Sequence, residues 1–345
     1  MSLIIHAPNI HQGGGRVLLL ALLGSLKEVP VRQVILDARF RLDHELPQGV
    51  RVERTPATIA GRLMAEWRLR RLVRSDDTVL CFGNLPPLFP VRARVIVYIQ
   101  NRYHIDRSEA GSLPAAIRFR LWFEYRWFDL GRGRVDKFVV QTPSMKRDAE
   151  KQLGIHAQIL PFVSDASSYV RRVLSGSLPG TRRYDFLYVA SGEPHKNHVR
   201  LVEAWCILAG EGLRPRLYLT LSSKTAPGLC QWIERQKQEY ELNIEITGVA
   251  GEVDLAALYQ AAGALIYPST FESFGLPLIE ARQAGLPIIA AELDYVRDVV
   301  DPEESFDPLS TLSIARAVKR YLGKTDNELA ILDAATFLHR VVNRT

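Results

Sequence analysis

Short β-branched and apolar runs recur along the chain, and stretches of helical periodicity lie between them. Residues 3–6, 31–37, 78–82, 95–99 and 137–141 read as strands of one unit, and 185–190, 216–221, 244–247, 264–267 and 288–291 as strands of a second. Strands alternating with helices are the signature of βαβ units, so each unit is expected to be a doubly wound, Rossmann-like α/β domain with a parallel sheet. The join is expected between residues 160 and 183, where Pro161, Gly176, Pro179, Gly180 and several serines interrupt the periodicity. The expected division is therefore 1–165 for an acceptor-side domain and 166–325 for a ligand-binding domain, with 326–345 a helix packing back toward the first. Two such domains facing each other bind ligand in the cleft at the C-terminal ends of their strands.

Composition fits that scale: 345 residues, 47% hydrophobic, can bury two cores. Three widely spaced cysteines, Cys81, Cys206 and Cys230, argue against a disulfide framework or zinc site and for a reducing compartment. The chain begins MSLIIHAPN without a basic leader, and its longest apolar run, residues 17–23, is too short to span a bilayer. A soluble or peripheral cytoplasmic protein is expected. Charge is unevenly placed: residues 1–160 hold 25 Lys and Arg against 15 Asp and Glu, a net of +10, and the remainder nets −4. The first unit thus faces something anionic: substrate phosphate, a membrane surface or nucleic acid.

The segment YPSTFESFGLPLIEARQAGLP, residues 267–287, carries the strongest chemistry. A buried strand stops at Pro268, and Pro277 suits a first helical position. Free backbone N–H groups from about Ser273 through Phe274 and Gly275 to Leu276 then gather at the positive end of a helix and can bind phosphate. Glu280 is expected in the first turn, with Glu272 below it in the loop, so hydroxyls on either side of a bound phosphate would meet carboxylates. This stretch resembles the Glu-x7-Glu signature of the family 4 retaining glycosyltransferases, including the turn Phe274-Gly275-Leu276-Pro277 and the later Ala284-Gly285-Leu286-Pro287. The resemblance implies the GT-B fold, ribose contacts for Glu280, the donor sugar for Glu272, and diphosphate binding by backbone N–H groups of the turn.

Three further segments take roles from that resemblance. In DFLYVASGEPHKN, residues 185–197, Lys196 occupies the family's diphosphate-binding lysine position, but Ser191 stands where an arginine is usual; His195, Lys224 or Arg16 is a candidate replacement. The HQGGGR run, residues 11–16, brings Gly14 and Gly15 close to a ligand and is a similar glycine-rich loop, though without the dinucleotide spacing. Where family members carry a His-Asp pair facing the sugar, this chain has Gln100 and Asn101, with His104 following. Amides recognise sugar hydroxyls but do not exchange protons at neutral pH, so either Gln100 and Asn101 take over recognition or His104 swings in. The resemblance implies transfer of a hexose from a nucleotide-diphosphate sugar with retention, by same-face attack in which a leaving phosphate oxygen takes the acceptor's proton. No Asp-x-Asp motif accompanies these strands, and no cofactor or catalytic metal is expected.

The acceptor side is read from IRFRLWFEYRWF, residues 117–128. On a helix, Ile117, Leu121 and Phe128 share one face, and Phe119, Phe123 and Trp127 a nearly opposite one flanked by Arg120 and Arg126. One face packs on the core; the other suits anionic lipid headgroups, or a neighbouring loop or subunit. A lipid-linked or saccharide acceptor of the lipopolysaccharide type, at the inner face of the cytoplasmic membrane, is the expected partner. Nucleic acid is not: the basic run Arg68–Arg74 interleaves Leu69, Leu72 and Val73 as an amphipathic helix and no recognition motif accompanies it. A catalytically silent nucleotide-sugar binder, or a sugar epimerase or phosphorylase of the same fold, is the alternative.

Overall fold

The structure, a computed structural model, describes residues 2–26, 29–43, 45–107, 111, 113–163, 183–246, 248, 255–324 and 333–334. The first unit runs β1 (Leu3–Ala7), α1 (Gly13–Gly24), β2 (Val31–Asp37), β3 (Arg51–Thr55), α2 (Ile59–Leu72), β4 (Thr78–Cys81), β5 (Arg94–Tyr98), α3 (Ala115–Gly131), β6 (Lys137–Val140), α4 (Pro143–Asp148) and β7 (Ala157–Ile159). The second runs β8 (Tyr184–Tyr188), α5 (His198–Gly210), β9 (Leu217–Leu219), α6 (Pro227–Glu239), β10 (Ile244–Ile246), α7 (Leu255–Ala261), β11 (Ala262–Tyr267), α8 (Leu276–Gln283), β12 (Ile288–Ala291), α9 (Asp294–Arg297), β13 (Glu304–Phe306) and α10 (Thr311–Tyr321). Residues 164–182 of the expected join and the expected terminal helix at 326–345, apart from 333 and 334, lie outside the described residues.

Two parallel sheets result, of seven strands in the order β3-β2-β1-β4-β5-β6-β7 and six in the order β10-β9-β8-β11-β12-β13. Helices cover both faces of the first sheet, because neighbouring side chains on a strand point to opposite sides. Ile4 joins the core containing Val79, Val97 and Phe128, while Ile5 joins the one containing Leu19, Val34 and Phe82. In the second unit Phe186, Trp205, Tyr267 and Ile314 share one core. The sequence pattern missed β3, β7 and β13. All three are sheet edges: RVERT, AQI and ESF are short or polar because an edge strand is only partly covered.

Both strand orders reverse direction about a central pair, β1 and β4 in one sheet and β8 and β11 in the other. Loops leaving such a pair diverge and open a crevice. The segments after β1, β8 and β11 carry Gly14 and Gly15, Lys196, and Glu272. The domains also touch through α4, where Ser144 N–H donates to Asp298 at 2.8 Å and Arg147 pairs with Asp294.

Helix α3 departs from the expected two-faced pattern. Leu121 and Phe128 are buried, but Trp127 sits with them, donating its indole N–H to Pro86 O at 2.8 Å and lying 5.0 Å beneath the Arg62 guanidinium. The face left open is Phe119, Trp122 and Phe123, at 70%, 55% and 61% exposure. Ile59, at 83%, with Leu63, Met64 and Trp67 on α2 adds a second exposed apolar row. Among the described residues no helix is long and apolar enough to cross a membrane.

Candidate active site

Pro194–Lys196 forms a 3₁₀ turn ending at Asn197, whose φ is 62°. That turn is stitched to the loop after β11. The His195 carbonyl accepts from Thr270 N–H at 2.8 Å and Ser269 Oγ at 3.1 Å, and the Asn197 amide donates to Pro268 O at 3.1 Å. Lys196 Nζ is thereby held 2.5 Å from Glu272 Oε1. The same oxygen accepts from Ser269 Oγ at 2.7 Å and from Tyr267 OH at 3.0 Å. Burial alone would push the Glu272 carboxyl up, but Lys196 and Ser269 prevail and hold it below its ordinary value. A half-buried, ionised carboxylate and its lysine therefore sit beyond the C-terminal ends of β11 and β8.

Above them the chain turns into α8 through Gly275, whose φ of 67° suits glycine; a methyl there would also meet Leu278 at 2.9 Å. Pro277 takes the second helical position rather than the first, because the helix begins at Leu276. Glu280 accordingly lies in the second turn, not the first. Its Oε2 accepts from Tyr259 OH at 2.8 Å, and burial raises its pKa against that hydrogen bond.

The opposite wall comes from the first domain. The three glycines are the first turn of α1, which starts at Gly13, and not a loop before it. A methyl group on Gly14 would come 3.3 Å from Leu276, and one on Gly15 3.2 Å from Gln100 Oε1. Small residues thus let α1 approach both the α8 turn and the loop after β5. Gln100 Nε2 donates to Phe82 O at 2.6 Å while its Oε1 is buried without a partner. Asn101 caps the 3₁₀ turn Arg102–His104, accepting from Tyr103 N–H at 3.1 Å.

Two expected residues turn elsewhere. Arg16 pairs with Asp43 at 3.1 Å within its own domain. His104 is 3% exposed and faces Glu124 of α3 at 3.5 Å, with burial, Arg120 and Arg107 holding its pKa down to about 3. Ser191 hydrogen-bonds Glu193. Residues that the sequence pattern did not single out are Arg102 and Tyr103, which cross the cleft, and Asn84, which holds their loop. Asn84 had no motif to announce it: its signal is a φ of 69°, visible only in three dimensions.

A parallel two-domain α/β fold with a lysine, two carboxylates and an open helix start in the intervening cleft is a GT-B architecture. Residues 176–333 match the family described as Glycosyl transferases group 1. Among curated proteins, the O-antigen chain mannosyltransferase B of Escherichia coli is 33% identical over 144 residues, 39% of this chain and 37% of that protein. The Escherichia coli serotype-specific mannosyltransferase WbdA is 30% identical over 215 residues, 57% of this chain and 26% of that protein. This chain therefore spans well under half the length of either relative. Among solved structures, Anabaena HepE in complex with UDP and glucose superposes with a TM-score of 0.67 at 14% identity, covering 93% of this chain and 90% of that one. WaaG, a glycosyltransferase involved in lipopolysaccharide biosynthesis, gives 0.66 at 16% identity, covering 94% and 90%. At such identities the likeness establishes the fold.

Proposed function

We propose that the protein is a retaining glycosyltransferase that moves a hexose, in the first instance mannose, from a nucleotide-diphosphate sugar to a saccharide or lipid-linked acceptor in O-antigen-type synthesis. The observation that carries this reading is the Lys196–Glu272 pair, 2.5 Å apart beside the start of α8. An arriving diphosphate offers Lys196 a second anion, and the N–H groups from Ser273 to Leu276 add the positive end of the helix. Charge developing on the departing diphosphate is then met by groups already in place. Glu280 takes the ribose hydroxyls and Glu272 the sugar. Gly14 and Gly15 close over the phosphates, with Gln100 and Asn101 on the sugar side; no metal or cofactor takes part in the proposed reaction. The mannosyltransferase relatives favour mannose as the hexose.

The proposed site of action is an anionic membrane surface, met by the Phe119, Trp122 and Phe123 face of α3 with Arg118, Arg120 and Arg126 on the same helix.

The direct test is thermal stabilisation by GDP-mannose, UDP-glucose and dTDP-glucose, followed by transfer from whichever binds. Glu272→Gln should lower kcat at least tenfold while free nucleoside diphosphate still binds. A protein stabilised by none of these donors, or one whose kcat is indifferent to Glu272, would refute the assignment.

A further inference from the structure

The segment from Gln100 to Arg107 is held from three sides. From within its own domain, Asn84 Oδ1 accepts from the N–H groups of Gln100 at 2.7 Å and Asn101 at 2.9 Å. From α3, Tyr125 OH donates to Tyr103 O at 2.8 Å, and Asp129 accepts from Arg107 at 2.7 and 3.0 Å. From across the cleft it meets the loop that carries Glu272. Arg102 N–H donates to Ser273 Oγ at 2.8 Å, and Arg102 Nη1 donates to Glu272 O at 3.4 Å. The guanidinium carbon lies 5.1 Å from the centre of the Phe271 ring, and the Tyr103 ring centre lies 4.8 Å from it. Three successive residues, Phe271, Glu272 and Ser273, are thus gripped by one short segment of the other domain. The guanidinium is itself anchored at 2.8 Å by Asp148 of α4.

We propose that Arg102 is a positioning residue for the donor sugar, acting through the 271–273 loop. This rests on the sugar-transfer reading above. A peptide unit is planar, so holding the Glu272 carbonyl and the Ser273 side chain restrains the peptide plane between them and, with it, the position of the Cα from which the Glu272 side chain leaves. A rigid guanidinium fork can serve both ends of this contact, since one nitrogen holds the Asp148 carboxylate while another reaches the carbonyl. Lysine has no such fork. Lys196, Ser269 and Tyr267 hold the carboxylate end of Glu272, whereas Arg102 reaches its backbone carbonyl. A displacement of about 1 Å at a reacting group can cost on the order of a hundredfold in rate.

Arg102→Met should therefore lower kcat for the nucleotide sugar that wild type accepts by tenfold or more, yet leave the affinity for free UDP or GDP within twofold. The free diphosphate lacks the sugar that Glu272 addresses. Arg102→Lys should recover only part of the loss. Ser273→Ala removes one contact of the clamp without altering charge and should lower kcat about threefold. Calorimetric titration with UDP and GDP, steady-state transfer and a melting curve for each variant make the set. Unchanged turnover in folded Arg102→Met would overturn the proposal. So would a parallel loss of diphosphate affinity, which marks a general disturbance between domains. If wild type binds UDP or GDP but transfers no sugar, or binds neither, the sugar-transfer reading fails first and this one falls with it.

Discussion

At the scale of single residues, the site divides its two carboxylates by environment. Glu272 is held below its ordinary value by Lys196 and the Ser269 hydroxyl; Glu280, largely enclosed beside one tyrosine hydroxyl, is pushed up by desolvation. In the proposed reaction the first would be a fixed charge beside the breaking bond, and the second an acceptor for the ribose hydroxyls. Glu280→Ala should weaken free nucleoside diphosphate by roughly ten- to a hundredfold, the 1.5–3 kcal/mol of one hydrogen bond to a charged group. Calorimetry with UDP and GDP measures it, and unchanged affinity would remove Glu280 from the ribose. The placement of both glutamates about the α8 turn was legible because their spacing and the glycine-proline turn between them lie in one short segment. Arg102 was not. Its relation to Glu272 spans 170 positions, and an arginine in a loop carries no periodicity that marks its partner. His104 misled because a histidine near a strand end looks functional in one dimension, whereas its neighbours on α3 enclose it.

At the scale of elements, strands and helices buried on both sides announce themselves, and what escapes is the polar edge and the buried ion pair. Arg62 and Glu66 both look like surface residues of α2, yet Glu66 is buried and Arg62 half-buried, 3.2 Å apart, with His6 3.4 Å from the same carboxylate and Trp127 beneath the guanidinium. Burial raises Glu66 and lowers Arg62 from their ordinary values. Removing one partner leaves the other charge uncompensated, so Glu66→Ala should cost about 3–5 kcal/mol, while the paired Arg62→Met/Glu66→Leu should cost much less. Urea unfolding of the three proteins checks this, and equal losses would refute the pairing. On the outer side of α3, co-sedimentation with vesicles is the measurement. Phe119→Ser/Phe123→Ser should lose binding to vesicles containing anionic lipid, and salt should weaken what the arginines contribute, about 1 kcal/mol each. Equal wild-type binding to neutral vesicles would exclude electrostatic docking. Trp127, assigned to that outer face from the sequence, is unsuitable for the test because it packs inward; a 100° helical step is too coarse to decide a residue at the boundary between faces.

At the scale of the whole molecule, three buried histidines make the fold less stable toward acid. Burial holds His6 well below its ordinary value, and holds His104 and His198 down to about 3. The unfolded chain takes up these protons near pH 6.5 and the folded chain does not. Their contribution is therefore complete above about pH 6.5 and is lost as pH falls, by about 1.4 kcal/mol per pH unit for each. Glu66, Glu124 and Glu280, raised by burial, act in the opposite sense. The clean readout is a difference: His104→Gln should make stability against pH shallower by that single slope below pH 6.5, and a profile parallel to wild type would mean that His104 is not held neutral. Finally, Tyr125, Glu124 and Asp129 tie α3 to the segment that grips the donor loop. If the proposed vesicle binding and the proposed nucleotide-sugar binding both hold, surface and site become two ligands' views of one equilibrium. If a vesicle steadies α3, it steadies the 271–273 loop as well, and linkage requires reciprocity: by whatever factor vesicles tighten nucleotide sugar, nucleotide sugar must tighten the hold on vesicles.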